Sequence, residues 1–176
     1  MDPEKKVNGI SIVTSPYNQF ENPLYSNNKI IGTYVNSIMA LHDAIERGSD
    51  EALLLDSNEN ISEGSGENLF IVKNEELITP TPDNCLNGIT RQSIIKIAQD
   101  EKIDVIEKKL KYEDLVDADE AFFTGTAVEV TPISKVDETT IGDSMIGPIT
   151  KKLQKIFTDT VTNKNKKYAH WLDPIN

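Results

Sequence analysis

Residues 61–70 read Ile61-Ser62-Glu63-Gly64-Ser65-Gly66-Glu67-Asn68-Leu69-Phe70 and run on as Ile71-Val72. Two glycines and two carboxylates precede an apolar run, which predicts a bend followed by a strand. Glycine admits positive φ or a close approach of the backbone to a ligand. The stretch is therefore either an ordinary surface turn between strands or a bend that holds Glu63 against something. The rest of the chain decides between them.

Ahead of it, Ala52 to Leu55 is a short apolar run, and Asp56 to Asn60 is a hairpin-like turn that returns through 61–66 into Asn68 to Val72. Asn74-Glu75-Glu76 turns again into Leu77-Ile78-Thr79, so three strands are expected as a meander. Gly9 to Ser15 alternates and is β-branched, another strand. Pro16 to Asn28 mixes prolines with asparagines and predicts a long surface connection. Tyr34, Val35, Ile38, Met39, Leu41 and Ile45 recur at helical spacing until Gly48. After the loop at Pro80 to Asn84, a second helix opens beyond Gly88 with Ile89, Ile94, Ile95, Ile97 and Ala98. Val105-Ile106 begins a strand, Tyr112 to Val116 is one helical turn, and Ala121 to Thr124 is a buried strand ending in Gly125-Thr126. Thr131 to Val136 and Thr139 to Ile141 form a late hairpin. From Pro148, the positions Ile149, Leu153, Ile156, Phe157 and Val161 make an amphipathic helix with proline in its first turn. Alternating strands and helices with hairpins between them predict an α/β domain with a mixed sheet.

The 176 residues suffice for one domain with a buried core, and 38% hydrophobic with 27% charged residues is a globular balance. A net charge of −11, with 18 scattered Lys and Arg, offers no basic stripe for a phosphate backbone. No apolar run approaches the ~20 residues that span a bilayer, and the first residues lead into no signal-peptide core. A soluble, cytoplasmic protein is expected. The single cysteine, Cys85, excludes an internal disulfide and reads as an idle buried thiol, while His42 and His170 supply no standard zinc ligand set.

Three further features carry chemistry in combination. Lys29 stands between the polar loop and the first long helix. Gly88-Ile89-Thr90 opens a helix whose first N–H groups are free for an anion. Gly125-Thr126-Ala127 ends a buried strand with small residues whose N–H groups can face a ligand. Taken one by one, these read equally as a surface charge, a helix cap and a tight turn.

Together, Lys29 to Ser37, Ile61 to Phe70, Gly88-Ile89-Thr90-Arg91, Phe123 to Ala127 and Glu129-Val130-Thr131-Pro132 resemble the class IV pyridoxal-phosphate aminotransferases, and most of all the branched-chain amino acid aminotransferases. The resemblance runs from about Gly9 to the closing His170-Trp171-Leu172-Asp173. It implies the large domain of the D-amino acid aminotransferase-like fold, with a mixed sheet partly closed into a barrel. It implies pyridoxal 5'-phosphate as cofactor, Lys29 as the catalytic Schiff-base lysine and Glu63 as the partner of the pyridine nitrogen. Tyr34 would hydrogen-bond the ring oxygen, Ile89, Thr90 and Thr126 would hold the phosphate, and Thr126 with Ala127 would meet the substrate carboxylate. Arg91 would support the phosphate cup from behind. The implied reaction moves an amino group between branched-chain L-amino acids and 2-oxoglutarate in a homodimer. Residues 1–176 would be a single domain equivalent to the C-terminal large domain. The small N-terminal domain, with its phosphate-binding arginine, would be absent or supplied as a separate half, leaving an apolar face uncovered. Two alternatives stay open: a catalytically incomplete cofactor-binding or dimerising module, and another class IV enzyme such as an aminodeoxychorismate lyase or a D-amino acid aminotransferase.

Overall fold

The computed structural model describes residues 4–20 and 28–173. Part of the predicted connection, 21–27, lies outside the described residues. Nine strands are found among them: β1 (Ile10–Thr14), β2 (Glu51–Leu55), β3 (Ile61–Gly64), β4 (Asn68–Lys73), β5 (Glu76–Thr79), β6 (Val105–Glu107), β7 (Glu120–Gly125), β8 (Glu129–Val136) and β9 (Thr139–Thr140). The helices are α1 (Lys5–Asn8), α2 (Tyr34–Glu46), α3 (Ile89–Asp100), α4 (Tyr112–Val116) and α5 (Pro148–Val161). Single 3-10 stretches span Ile31–Thr33 and Lys166–Trp171.

The strands join one mixed sheet in the order β3-β2-β1-β8-β7-β4-β5-β6, with β9 on β8. β1 is parallel to both β2 and β8, β5 is parallel to β6, and the other pairs are antiparallel. The sheet curls strongly into a half-barrel. The Ile61 N–H of edge strand β3 reaches the Leu110 carbonyl, just beyond β6, at 2.7 Å, so the two ends of the strand order meet.

Alternation along the strands divides the core. Ile10, Ile12, Leu53, Leu69, Ile71, Phe123 and Ile133 pack on one side of the sheet. Phe70, Val72 and Phe122 point the other way, under Ile94 and Ile97 of α3 and Leu153 and Phe157 of α5. The Phe70 and Phe122 rings stack at 5.1 Å between centroids. Glu120 secures α5, its carboxylate accepting the Ile149 and Thr150 N–H groups at 3.0 and 2.7 Å at the start of the helix.

The expected meander is not continuous. Residues 61–64 form a strand of their own on β2, whereas β4 pairs with β5 and β7. Residues 65–67 carry the chain from one part of the sheet to another, and the Gly64 N–H closes on the Glu67 carbonyl at 2.7 Å. Neither Gly64 nor Gly66 takes a positive φ. Gly64 is needed for space, since a Cβ there would lie 3.0 Å from the Phe123 ring.

The helix from Tyr34 meets the sheet through its small residues. Ala40 and Ala44 face Val13, Ala52 and Leu54, while Ile31, Val35, Ile38, Met39 and Ile45 point outward, Ile38 being 64% exposed. Two alanines allow close approach to the sheet, and the larger side chains are left as an uncovered apolar stripe.

Candidate functional site

Lys29 lies just before a tight 3-10 turn, in which the Ile30 carbonyl accepts the Thr33 N–H and hydroxyl at 3.2 and 2.7 Å. That turn runs directly into α2, so Lys29 and Tyr34 line the same cleft, with Glu63, Glu67 and Asn68 among its other walls. Lys29 is exposed at the mouth.

Glu63 sits on β3 opposite Leu54 and is nearly buried. Its Oε2 accepts the Leu86 N–H at 3.1 Å and the Asn68 amide at 3.2 Å, and its Oε1 accepts the Gln19 amide. Burial pushes its carboxyl up to about 7, and the Leu86 and Gln19 donors, together with the positive charges of Lys29 and Arg91, oppose that rise. A carboxyl held in one orientation, near half ionisation and fed by neutral donors, is suited to sharing a proton with a basic nitrogen.

The opposite wall is built by α3. Gly88 takes an extended conformation ahead of the helix, and the first helical N–H groups, at Ile89 and Thr90, have no carbonyl within the helix to bond. Ile89, Thr90, Thr124, Gly125 and Thr126 line a second cleft of about 260 Å³ that also includes Lys29, Gly66, Asn68 and Leu86. The two clefts share these four residues and form a continuous depression. Ala127, exposed, follows Thr126 in the turn beyond the lining residues.

Arg91 is 1% exposed and braces this wall from behind. Its guanidinium donates to the Asn87 side chain at 3.0 Å and the Pro80 carbonyl at 2.8 Å and pairs with Glu107 of β6. Ser62 and Asn84 complete the bracing: the Ser62 hydroxyl donates to the Asn84 carbonyl, and the Asn84 amide to the Ile61 carbonyl at 3.0 Å. Cys85, in the same loop, is buried and its thiol is pushed up to about 12 by burial and the neighbouring Glu63 charge.

Sequence reading missed three contributors. Gln19, in the polar connection, carried no signal. Asn68 lay within the quoted stretch but was read as the beginning of a strand. Glu67 hydrogen-bonds the Glu51 carboxyl, and burial together with the Glu51 charge raises it far above the usual carboxylate range.

The family model for class IV aminotransferases matches residues 1–136. The chain belongs to that family. A class IV relative, the branched-chain-amino-acid aminotransferase of Pseudomonas aeruginosa, is 44% identical over 172 residues, covering 97% of this chain and 56% of the relative. The probable branched-chain-amino-acid aminotransferase of Aquifex aeolicus is 45% identical over 157 residues, covering 88% of this chain and 50% of the relative. The solved T.th. branched-chain amino acid aminotransferase, complexed with N-(5'-phosphopyridoxyl)-L-glutamate, superposes with a TM-score of 0.93 at 39% identity, over 96% of this chain and 57% of that one. The chain thus spans about half the length of the curated relatives it matches. The class IV fold expected from the motifs, a mixed sheet partly closed into a barrel, is the fold observed.

Proposed function

We propose that this chain is the cofactor-binding large domain of a pyridoxal-phosphate-dependent aminotransferase that moves amino groups between branched-chain L-amino acids and 2-oxoglutarate. The observation that carries the reading is the depression itself: a buried carboxyl at one end, helix N–H groups and Thr hydroxyls at the other, and a lysine amine between them. Such a donor set fits a ring with a basic nitrogen at one end and a phosphate at the other. When bound, the cofactor supplies the carbonyl that takes up the substrate amine and the ring that withdraws its electrons.

The residues then divide the tasks. Glu63 holds the proton on the ring nitrogen. Tyr34 hydrogen-bonds the ring oxygen. The Ile89 and Thr90 N–H groups, with the Thr90 and Thr126 hydroxyls, hold the phosphate. Lys29 carries the cofactor through its Nζ and moves the substrate α-proton. Thr126 and Ala127 meet the substrate carboxylate. The outward stripe of Ile31, Val35, Ile38 and Ile45 suits burial in a homodimer, and the buried Cys85 thiol suits a cytoplasmic setting. No helix among the described residues is long and apolar enough to cross a membrane.

The test is a visible spectrum with pyridoxal phosphate, borohydride reduction and peptide mapping. A yellow protein labelled at Lys29 is expected, and added leucine shifts its absorbance. A colourless protein, or label spread over many lysines, refutes the reading. Label at Lys29 without response to any amino acid would instead identify a cofactor-binding module.

A further inference from the structure

Asn68 has no role in the scheme above, yet it touches each wall of the depression. It opens β4 and is only 5% exposed. Its Nδ2 donates to Glu63 Oε2 at 3.2 Å and to the Leu86 carbonyl at 2.6 Å. Both partners are acceptors, which fixes the orientation of the amide. Its Oδ1 therefore faces the other way, against Gly88, where an added Cβ would lie 2.5 Å from it. Its backbone pairs with Thr124, one residue before the Gly125-Thr126 turn.

We propose that Asn68 is a positioning residue, locking the Glu63 carboxylate and the Leu86–Gly88 turn that opens the phosphate cup into one unit. This rests on the cofactor reading above. Leu86 gives the link its second strand: its N–H bonds the same Glu63 oxygen that receives Asn68, and its carbonyl takes the other Asn68 proton. Gly88 is required because any side chain there would push the amide off Glu63. A shift at either end is thus transmitted to the other through one planar group.

The charged and titratable groups around Glu63 are Lys29, Tyr34, Arg91, Glu67 and Cys85. None of them is altered in the two variants that test the link. Asn68→Asp keeps the shape but turns a donor into an acceptor facing two acceptors. Gly88→Ala places its Cβ against Asn68 Oδ1 and near no atom of Glu63, so the Glu63 titration reads the displaced amide, whereas its effect on binding also includes the methyl group in the cleft that Gly88 lines.

The experiment is a ¹³C carboxyl NMR titration of Glu63 in the full, unliganded chain, paired with pyridoxal phosphate binding followed by absorbance. Both variants are expected to raise the Glu63 midpoint by about one pH unit or more and to weaken binding roughly ten-fold, the effect of losing one hydrogen bond to a charged group. Combined, they are expected to fall short of additivity. A Glu63 midpoint unchanged in Gly88→Ala, with the protein folded by circular dichroism, overturns the inference even if Asn68→Asp fails to fold. Wild-type protein that never binds pyridoxal phosphate overturns the cofactor reading instead, and the titration still decides whether Asn68 links Glu63 to the turn.

Discussion

Replacing Glu63 by glutamine is expected to remove a pH-dependent loss of stability from the unliganded protein while disabling its cofactor site. The Glu63 carboxyl stands near 7 in the folded chain against an ordinary 4.5, chiefly because it is buried. That gap corresponds to about 3 kcal/mol. Because the folded value is raised, the folded state binds the extra proton. Stability from the neutral carboxyl is complete below about pH 4.5, declines as pH rises through the window, and is lost above about pH 7. Glutamine does not titrate and keeps nearly the same shape. The difference between variant and wild type should therefore climb by about 3 kcal/mol between about pH 4.5 and pH 8 and then level off. Glu67, itself raised in part by the Glu63 charge, is relieved in the variant and adds to the effect in the same direction. Urea unfolding of both proteins at about pH 5, 6, 7 and 8.5 measures it. Parallel stability curves across that range would refute the reasoning, because they would mean that the Glu63 carboxyl ionises as easily inside the protein as outside.

Three shorter predictions follow from packing. Gly147→Ala drives a Cβ into the Glu120 carboxyl group, displacing the side chain that caps α5, and should cost about 2–3 kcal/mol in urea unfolding. Arg91→Met keeps the volume but leaves the buried Pro80 carbonyl only the weak Cys85 thiol donor and loosens the loop that carries Leu86, with an expected cost of about 3 kcal/mol and weaker pyridoxal phosphate binding. The Cys85 thiol, buried and pushed up to about 12, should resist an aromatic disulfide reagent at about pH 8 until the protein unfolds, as the release of coloured thiolate would report.

Much of the fold was legible because its signals are local. The β-branched run after Gly9, the helical spacing from Tyr34 and from Gly88, and Pro148 at a helix start each describe an element that formed near its expected bounds. Pairing was less legible. Nothing local to residues 61–66 tells whether the next strand continues a meander or crosses to another part of the sheet, since the choice is made by β7, more than fifty residues later. Burial on α2 was not legible for a related reason: periodicity marks an apolar face without saying what covers it, and here the two alanines, not the larger side chains, meet the sheet. In the site, Lys29, Glu63 and Thr90 were singled out by motif, and they line the same depression. Gln19 and the Leu86 N–H were invisible, because a hydrogen bond from a loop or from the backbone leaves no mark on residue type.

The place of β8 bears on how the chain is made. It lies between β1 and β7, so the first strand gains that neighbour only after more than a hundred further residues have been synthesised. Until Val136 has emerged from the ribosome, the nascent chain carries two strand edges with unmet N–H and C=O groups, one of them on β1, whose Ile10 and Ile12 belong to the core. Slow translation or a stall between Gly125 and Val136 would therefore hold the chain in its most association-prone form, and its need for chaperones during synthesis should be concentrated in that interval.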